Sequence, residues 1–432
     1  MAPILLAAAA CAVYANAFQG AFVHDDHFIV LENPHIRKLW PPWEAIYGYP
    51  NARSPDRPVG AYSLALSYAL SGERTWGFHL VNLLIHALAG LALYGLVRRV
   101  LLLEPLRERY GATAGGLAFA VALVWLVHPV GAVCVTYIIQ RVQALMSLFF
   151  LLTLYAAMRA FTSAAPKRWY AAGILACLLG MGCKQDMAGA PLAVLLLDAL
   201  FISAGPREAL RRRAGFYLGL AACWIPLAVL VLRGRMQGVV ELVADAQWTR
   251  SQYALSQFQS VLTYLRLAVW PLPTSFQHYP PVSDTAARFV PPMLAVLALL
   301  GAVAWGLWKR RPWAFPGALF FPAAGAHDEP RPAARAPRRA PHVPGARGAA
   351  AAGGAARAHA AAALGGRRRG AAQVRRGAGR GPGGRLGRRA GEPDARAERA
   401  LRGRPDALGG RDCQSTPASP SRIIISAITS IA

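Results

Sequence analysis

Two adjacent carboxylates, Asp25 and Asp26, lie between His24 and His27 in GAFVHDDHFIVLEN (residues 20–33), directly after the first apolar segment. At a membrane–water boundary such a pair can take a proton from an attacking hydroxyl or orient it. The same residues can equally cap a short interfacial helix or end the first span, and spacing alone leaves both readings open. Two cations belong to the same constellation. Arg141 suits an anionic ligand such as a lipid phosphate, or it snorkels to headgroups. Lys184 suits the same anion, or it pairs with Asp186 two residues on.

His79, Asn82 and His86 are spaced i, i+3, i+7 and share one helix face. Interhelical hydrogen bonding is the first reading of these three, because buried polar groups in lipid face the bundle interior. Substrate contact is the second, and His24 and His128 join them as candidates for it. No carboxylate or further histidine stands at a spacing that makes a metal set. The cysteines (Cys11, Cys134, Cys177, Cys183, Cys223, Cys413) form no CxxC and fall mostly in apolar segments, which supports neither a zinc site nor a disulfide framework.

The elements that must position these residues are membrane helices. The chain has 432 residues, 55% of them hydrophobic, with a mean hydropathy of +0.31, and its apolar residues fall in blocks of about twenty, the length that crosses a bilayer. The expected spans are Pro3–Phe18, Phe78–Leu96, Leu117–Val135, Ala144–Phe161, Tyr170–Cys183, Met187–Ile202, Phe216–Leu232 and Val290–Trp308. Eight to nine spans result, depending on Ser251–Pro271. Gln252, Gln257, Gln259, Tyr264 and Arg266 make that stretch amphipathic, and it reads as interfacial or re-entrant. Basic clusters follow the second, fourth, sixth and last spans, which makes those ends cytoplasmic. Residues 20–76 then form a long first outer loop, and Asp25, Asp26, Arg141 and Lys184 share the outer face. Trp40, Pro41, Pro42, Trp43, Tyr47, Tyr49 and Pro50 place this loop on the membrane surface, with Trp40 and Trp43 as belt anchors.

The expected domains are a polytopic membrane unit, residues 1–321, and a tail, residues 322–432. The tail holds 21 arginines, no lysine and 7 acidic residues, and so carries +14 of the chain's +26. Rich in Ala, Gly, Arg and Pro, it has too little apolar matter to bury a core and reads as disordered. The change of composition is abrupt and falls inside a starting span, Trp313–Phe321. Out-of-frame translation of a GC-rich gene is the first account of it. An Arg-rich arm for RNA or anionic lipid is the second, weakened by the lack of interleaved aromatics; no nucleic-acid partner is expected.

Six stretches carry a resemblance: HDDHFIVLENPHI (24–36), RPVGAYSLALSYAL (57–70), GFHLVNLLIHALAG (77–90), HPVGAVCVTYIIQRVQALMSLFFLLTLYAAMR (128–159), GCKQDMAGAPLAVLLLD (182–198) and LTYLRLAVWPLP (262–273). In this order they resemble bacterial multi-span proteins with tetratricopeptide repeats, similar to the transmembrane-and-TPR O-mannosyltransferases of the GT-C glycosyltransferase superfamily. The resemblance covers roughly residues 10–320. It stops near Phe321, and no 34-residue period follows, so the chain reads as a truncated copy. Lys184-Gln185 stands where relatives have Lys-Glu.

The resemblance implies an all-α, GT-C-like transmembrane bundle in a bacterial inner membrane, with its active face outside the cytoplasm. It implies a polyprenyl-phosphate-linked sugar as donor and a protein or glycan acceptor. It puts the acidic motif at Asp25 and Asp26, one of them the catalytic base, and phosphate binding at Arg141 and Lys184. No cofactor or metal is implied. A non-catalytic membrane scaffold is the alternative. A transporter would need paired intramembrane carboxylates, and Asp198 is the lone acid placed inside a span.

Overall fold

Proline opens many of the helices in this chain. Its fixed φ suits the first helical turn, where its missing N–H costs nothing. Pro3, Pro58, Pro166, Pro191 and Pro206 each occupy such a position. The structure, a computed structural model, describes residues 1–47, 57–104, 106–236, 250–272 and 285–325. The tail beyond Gly325 and the Tyr49-Pro50 part of the first loop lie outside the described residues.

The helices are α1 (Ala2–Val13), α2 (Pro42–Tyr47), α3 (Pro58–Ser71), α4 (Thr75–Leu101), α5 (Leu106–Tyr110), α6 (Ala114–Val127), α7 (Val133–Thr136) and α8 (Arg141–Thr162). They continue as α9 (Pro166–Met181), α10 (Ala190–Phe201), α11 (Pro206–Arg212), α12 (Ala214–Ala222), α13 (Trp224–Met236), α14 (Arg250–Val269), α15 (Ala286–Trp308) and α16 (Ala314–Gly325). The described residues hold no strand, and the molecule is an all-α integral membrane protein.

Five stretches are long and apolar enough to cross a membrane: Thr75–Leu101, Leu106–Val127, Ile138–Thr162, Ala214–Leu232 and Ala286–Trp308. A sixth is the pair Gln185–Phe201 and Pro206–Arg212, bent by 107°. The remaining expected blocks lie on shorter or interrupted helices. The first apolar block is helical for 12 residues, about 18 Å of a core about 30 Å thick, and then tightens into a 3₁₀ turn at Ala15–Gln19. The block Tyr170–Cys183 falls on α9, only 16 residues long. The block expected to end at Val135 stops at Val127, because Pro129 pushes His128 into an extended conformation.

Helix α8 is the axis of the bundle. Within Ile138–Thr162, 72% of the most apolar stretch is buried, against 11% for Ala286–Trp308. Leu151, Leu154, Met146 and Met158 of α8 pack with Leu93 of α4, Cys177 of α9 and Leu197 of α10. α4 and α6 approach closely because position 90 is glycine; a Cβ there would stand 2.6 Å from Leu126 Cδ2.

The two ends of α8 differ. Its C-terminal end gathers all four basic clusters. Arg99 lies over Tyr155, Arg159 over Trp169 at 4.2 Å and Arg213 over Phe161 at 4.3 Å. Arg310 donates to the carbonyls of Ala199, Ser203 and Ala204. Since Arg213 and Arg310 meet at one end, α13 leaves that end and α15 returns to it. At the N-terminal end of α8 a separate apolar cluster seats the acidic stretch: Val30, Ile36, Leu64, Phe78 and Tyr137–Ile139.

Candidate functional site

The acidic stretch is folded by its own turns. His24 passes through the left-handed region at φ 47°, which histidine tolerates better than most side chains. A single wide turn, Glu32 N–H to His27 O, follows. Between them the two carboxylates take different environments. Asp26 is fully buried. Its Oδ1 accepts the Ile139 N–H at 3.0 Å and its Oδ2 the Val23 N–H at 3.1 Å. Burial pushes its carboxyl up to about 6, with the Asp25 charge adding, although the backbone donors pull the other way. Asp25 is half-buried, and its N–H donates to Tyr137 Oη at 3.2 Å. Asp26 thus ties the first loop to the turn before α8, and Asp25 is the carboxylate with access to solvent. Of the flanking histidines, His24 and His27 are both exposed.

Arg141 opens α8 and is fully buried. Its Nε donates to Asn82 Oδ1 at 2.6 Å. Its Nη1 donates to Ser63 O and Ser67 Oγ, and its Nη2 to Phe78 O, each at 2.7 Å. These bonds hold α3 and α4 together across the start of α8. Lys184 is also buried; its Nζ lies 2.8 Å from Gln143 Oε1 and 3.1 Å from Asp186 Oδ2. Arg141 and Gln143 are two residues apart on one helix, about 200° around its axis. The two cations therefore lie on different sides of α8 and do not converge. Val59 N–H donates to Gly182 O at 3.0 Å, which brings the Lys184 turn against α3, the helix that Arg141 also holds.

The polar face of α4 makes interhelical bonds. Asn82 Nδ2 reaches Val135 O and Ile138 O, both at 3.4 Å. His86 Nε2 bonds Leu126 O at 3.0 Å, with its ring stacked on Trp125 and edge-on to Tyr14. His79 Nδ1 bonds Val135 O at 3.2 Å and so carries the proton. That leaves the buried His79 Nε2 an acceptor with no protein partner among the described residues, facing Gly20. His128 caps the turn after α6, its Nδ1 accepting the Val130 N–H at 3.3 Å. Burial lowers its pKa, against the pull of a bond to the Ala268 backbone.

Sequence reasoning missed Ser63 and Ser67 as the seat of Arg141, Gln143 as the partner of Lys184, and Tyr137 as the acceptor beneath Asp25. The i, i+4 spacing of the two serines on α3 was the one available signal. No three His, Cys, Asp or Glu side chains gather as a metal set among the described residues.

Residues 53–232 match the family described as dolichyl-phosphate-mannose-protein mannosyltransferase. The chain is 34% identical over 160 residues to protein O-mannosyl-transferase TMTC1 of Mus musculus, covering 35% of this chain and 16% of that protein. It is 28% identical over 276 residues to protein O-mannosyl-transferase Tmtc2 of Drosophila melanogaster, covering 60% and 28% respectively. Against protein O-mannosyl-transferase TMTC4 of Homo sapiens it is 26% identical over 226 residues, covering 46% and 29%. These matches make the membrane part of the chain similar to the TMTC/PMT-like GT-C proteins. The chain spans less than a third of the length of these relatives. No solved structure matches it.

Proposed function

We propose that this chain is a membrane glycosyltransferase that moves a sugar, mannose by its relatives' names, from a polyprenyl-phosphate donor to a protein or glycan hydroxyl. The reaction takes place at the acidic end, which faces away from the cytoplasm. Asp25 is the base. It takes the acceptor proton as the hydroxyl oxygen bonds to the anomeric carbon, and the carbon–phosphate oxygen bond breaks with inversion. The polyprenyl phosphate leaves with the bonding electrons, its charge met by Lys184 once Asp186 yields. Asp26 positions Asp25 by pinning the loop to Ile139, and Arg141 positions Asn82 and α3. His24 and His128 border the acceptor.

The observation that carries this reading is the division of labour between adjacent carboxylates: one buried and held by backbone, the next half-exposed. The test is transfer from polyprenyl-phosphate mannose by the purified full chain in proteoliposomes. Asp25→Asn is expected to lower transfer by about 10²–10⁴-fold with unfolding unchanged. Transfer at the parent rate would sink the assignment.

A second reading, a non-catalytic scaffold, has its own support. Arg141 already bonds four protein oxygens, and Lys184 is paired with Asp186. Under it Asp25→Asn is silent, and the parent chain shows no transfer.

A further inference from the structure

We propose that the basic end of the bundle holds one anionic phospholipid, its phosphate on Arg98 and Arg99 and an acyl chain in the groove between α4 and α8. A cavity of about 420 Å³ opens there, lined by Leu88, Leu91, Leu148 and Leu152, with Arg98 and Arg99 at its rim. It lies on the flank of two membrane-spanning helices. Leu84 and Leu88, one turn apart on α4, are 52% and 51% exposed and continue the apolar track toward mid-membrane. A groove so placed is bathed in lipid tails.

The rim is built to meet a phosphate. The Arg99 guanidinium lies 5.5 Å from the Tyr155 ring centre. Arg159 is stacked on Trp169. Gly95 lets Tyr155 cross α4 at this level, since a Cβ at that position would stand 2.7 Å from Tyr155 Cε2. Arg98 is exposed. In the clusters after the sixth and the last span, Arg213 is committed to Asp198 and Arg310 to backbone carbonyls. A charged rim above an apolar groove selects an anionic head carried on an acyl chain. Tyr155 lies fourteen residues, about 21 Å of helix, from Arg141, so this site is separate from the acidic end.

The test is native mass spectrometry of the full chain in micelles, titrated with phosphatidylglycerol and with phosphatidylcholine of the same acyl chains. Phosphatidylglycerol is expected to bind at least tenfold more tightly. Arg98→Gln and Arg99→Gln should each weaken it about fivefold, the equivalent of one surface charge. Leu88→Trp, which fills the groove from a lipid-exposed position, should weaken both lipids and covers the case in which the arginine variants fail to fold. Equal binding of the two lipids would overturn the proposal. So would unchanged phosphatidylglycerol binding in Leu88→Trp, or equal competition by polyprenyl phosphate, which would make the groove part of the donor site.

Discussion

The two ends of the bundle bury charge in different ways. At the basic end Asp198 takes two bonds from Arg213 Nη1 at 2.9 and 2.8 Å, one from Ser203 Oγ at 2.8 Å and one from Tyr217 Oη at 2.8 Å. All its partners lie within nineteen residues, and the Arg213 side chain keeps 12% of its surface exposed. At the acidic end all but one of the partners, Val23 N–H on Asp26, are distant in sequence: Asp26 with Ile139, Arg141 with Ser63, Ser67, Phe78 and Asn82. There a carboxylate is met by backbone N–H groups and a guanidinium by neutral oxygens, with no opposite charge in either set of bonds. A local ion pair can form as soon as α10 to α12 fold. The acidic end exists only once α3, α4 and α8 are assembled, which suits a site that needs exact placement of one further carboxylate.

The comparison breaks first at Arg141. Arg141→Met leaves Asn82 Oδ1, Ser67 Oγ and two carbonyls without their buried donor. The expected cost is about 3–5 kcal/mol, read as a large drop in the unfolding temperature in micelles. Melting at the parent temperature would show that α3 is held by something else.

Asp26→Asn comes next. Its amide replaces one acceptor with a donor opposite either Val23 N–H or Ile139 N–H, at a cost of about 1–3 kcal/mol. This position also sets a pH dependence. Its folded pKa, about 6, lies above the ordinary value of 3.8, so the folded state binds the proton more tightly. That contribution to stability is complete below about pH 4 and is lost as pH rises through 6. Unfolding temperatures measured from pH 4 to 7 should fall across this window in the parent and stay flat in Asp26→Asn.

Asp198→Asn should cost less, about 1–2 kcal/mol, because Arg213 can turn toward water. If it cost more than Arg141→Met, the contrast between the ends would be reversed. The smallest effect belongs to the surface. Arg37 and Glu73 pair at 3.1 Å with side chains 45% and 56% exposed, and Arg37→Gln should shift stability by no more than about 0.5 kcal/mol.

The sequence by itself determined where the main apolar helices lie. Phe78–Leu96, Ala144–Phe161, Phe216–Leu232 and Val290–Trp308 each fall inside a long apolar stretch of the structure, because a bilayer requires about twenty apolar residues in a row. It also determined that the basic clusters share one end, and it identified the face of α4 that carries His79, Asn82 and His86. It could not divide Asp25 from Asp26. Two adjacent carboxylates look alike in a sequence, and what separates them is the N–H of Ile139, a backbone group that no side-chain type announces. Nor could it show that Arg141 and Lys184 lie on different sides of α8, since that depends on Ser63 of α3 meeting Arg141 and on the Lys184 turn arriving at Gln143. Tertiary structure decided those points, because the fate of a buried charge is set by whichever distant donors and acceptors packing brings within about 3 Å of it.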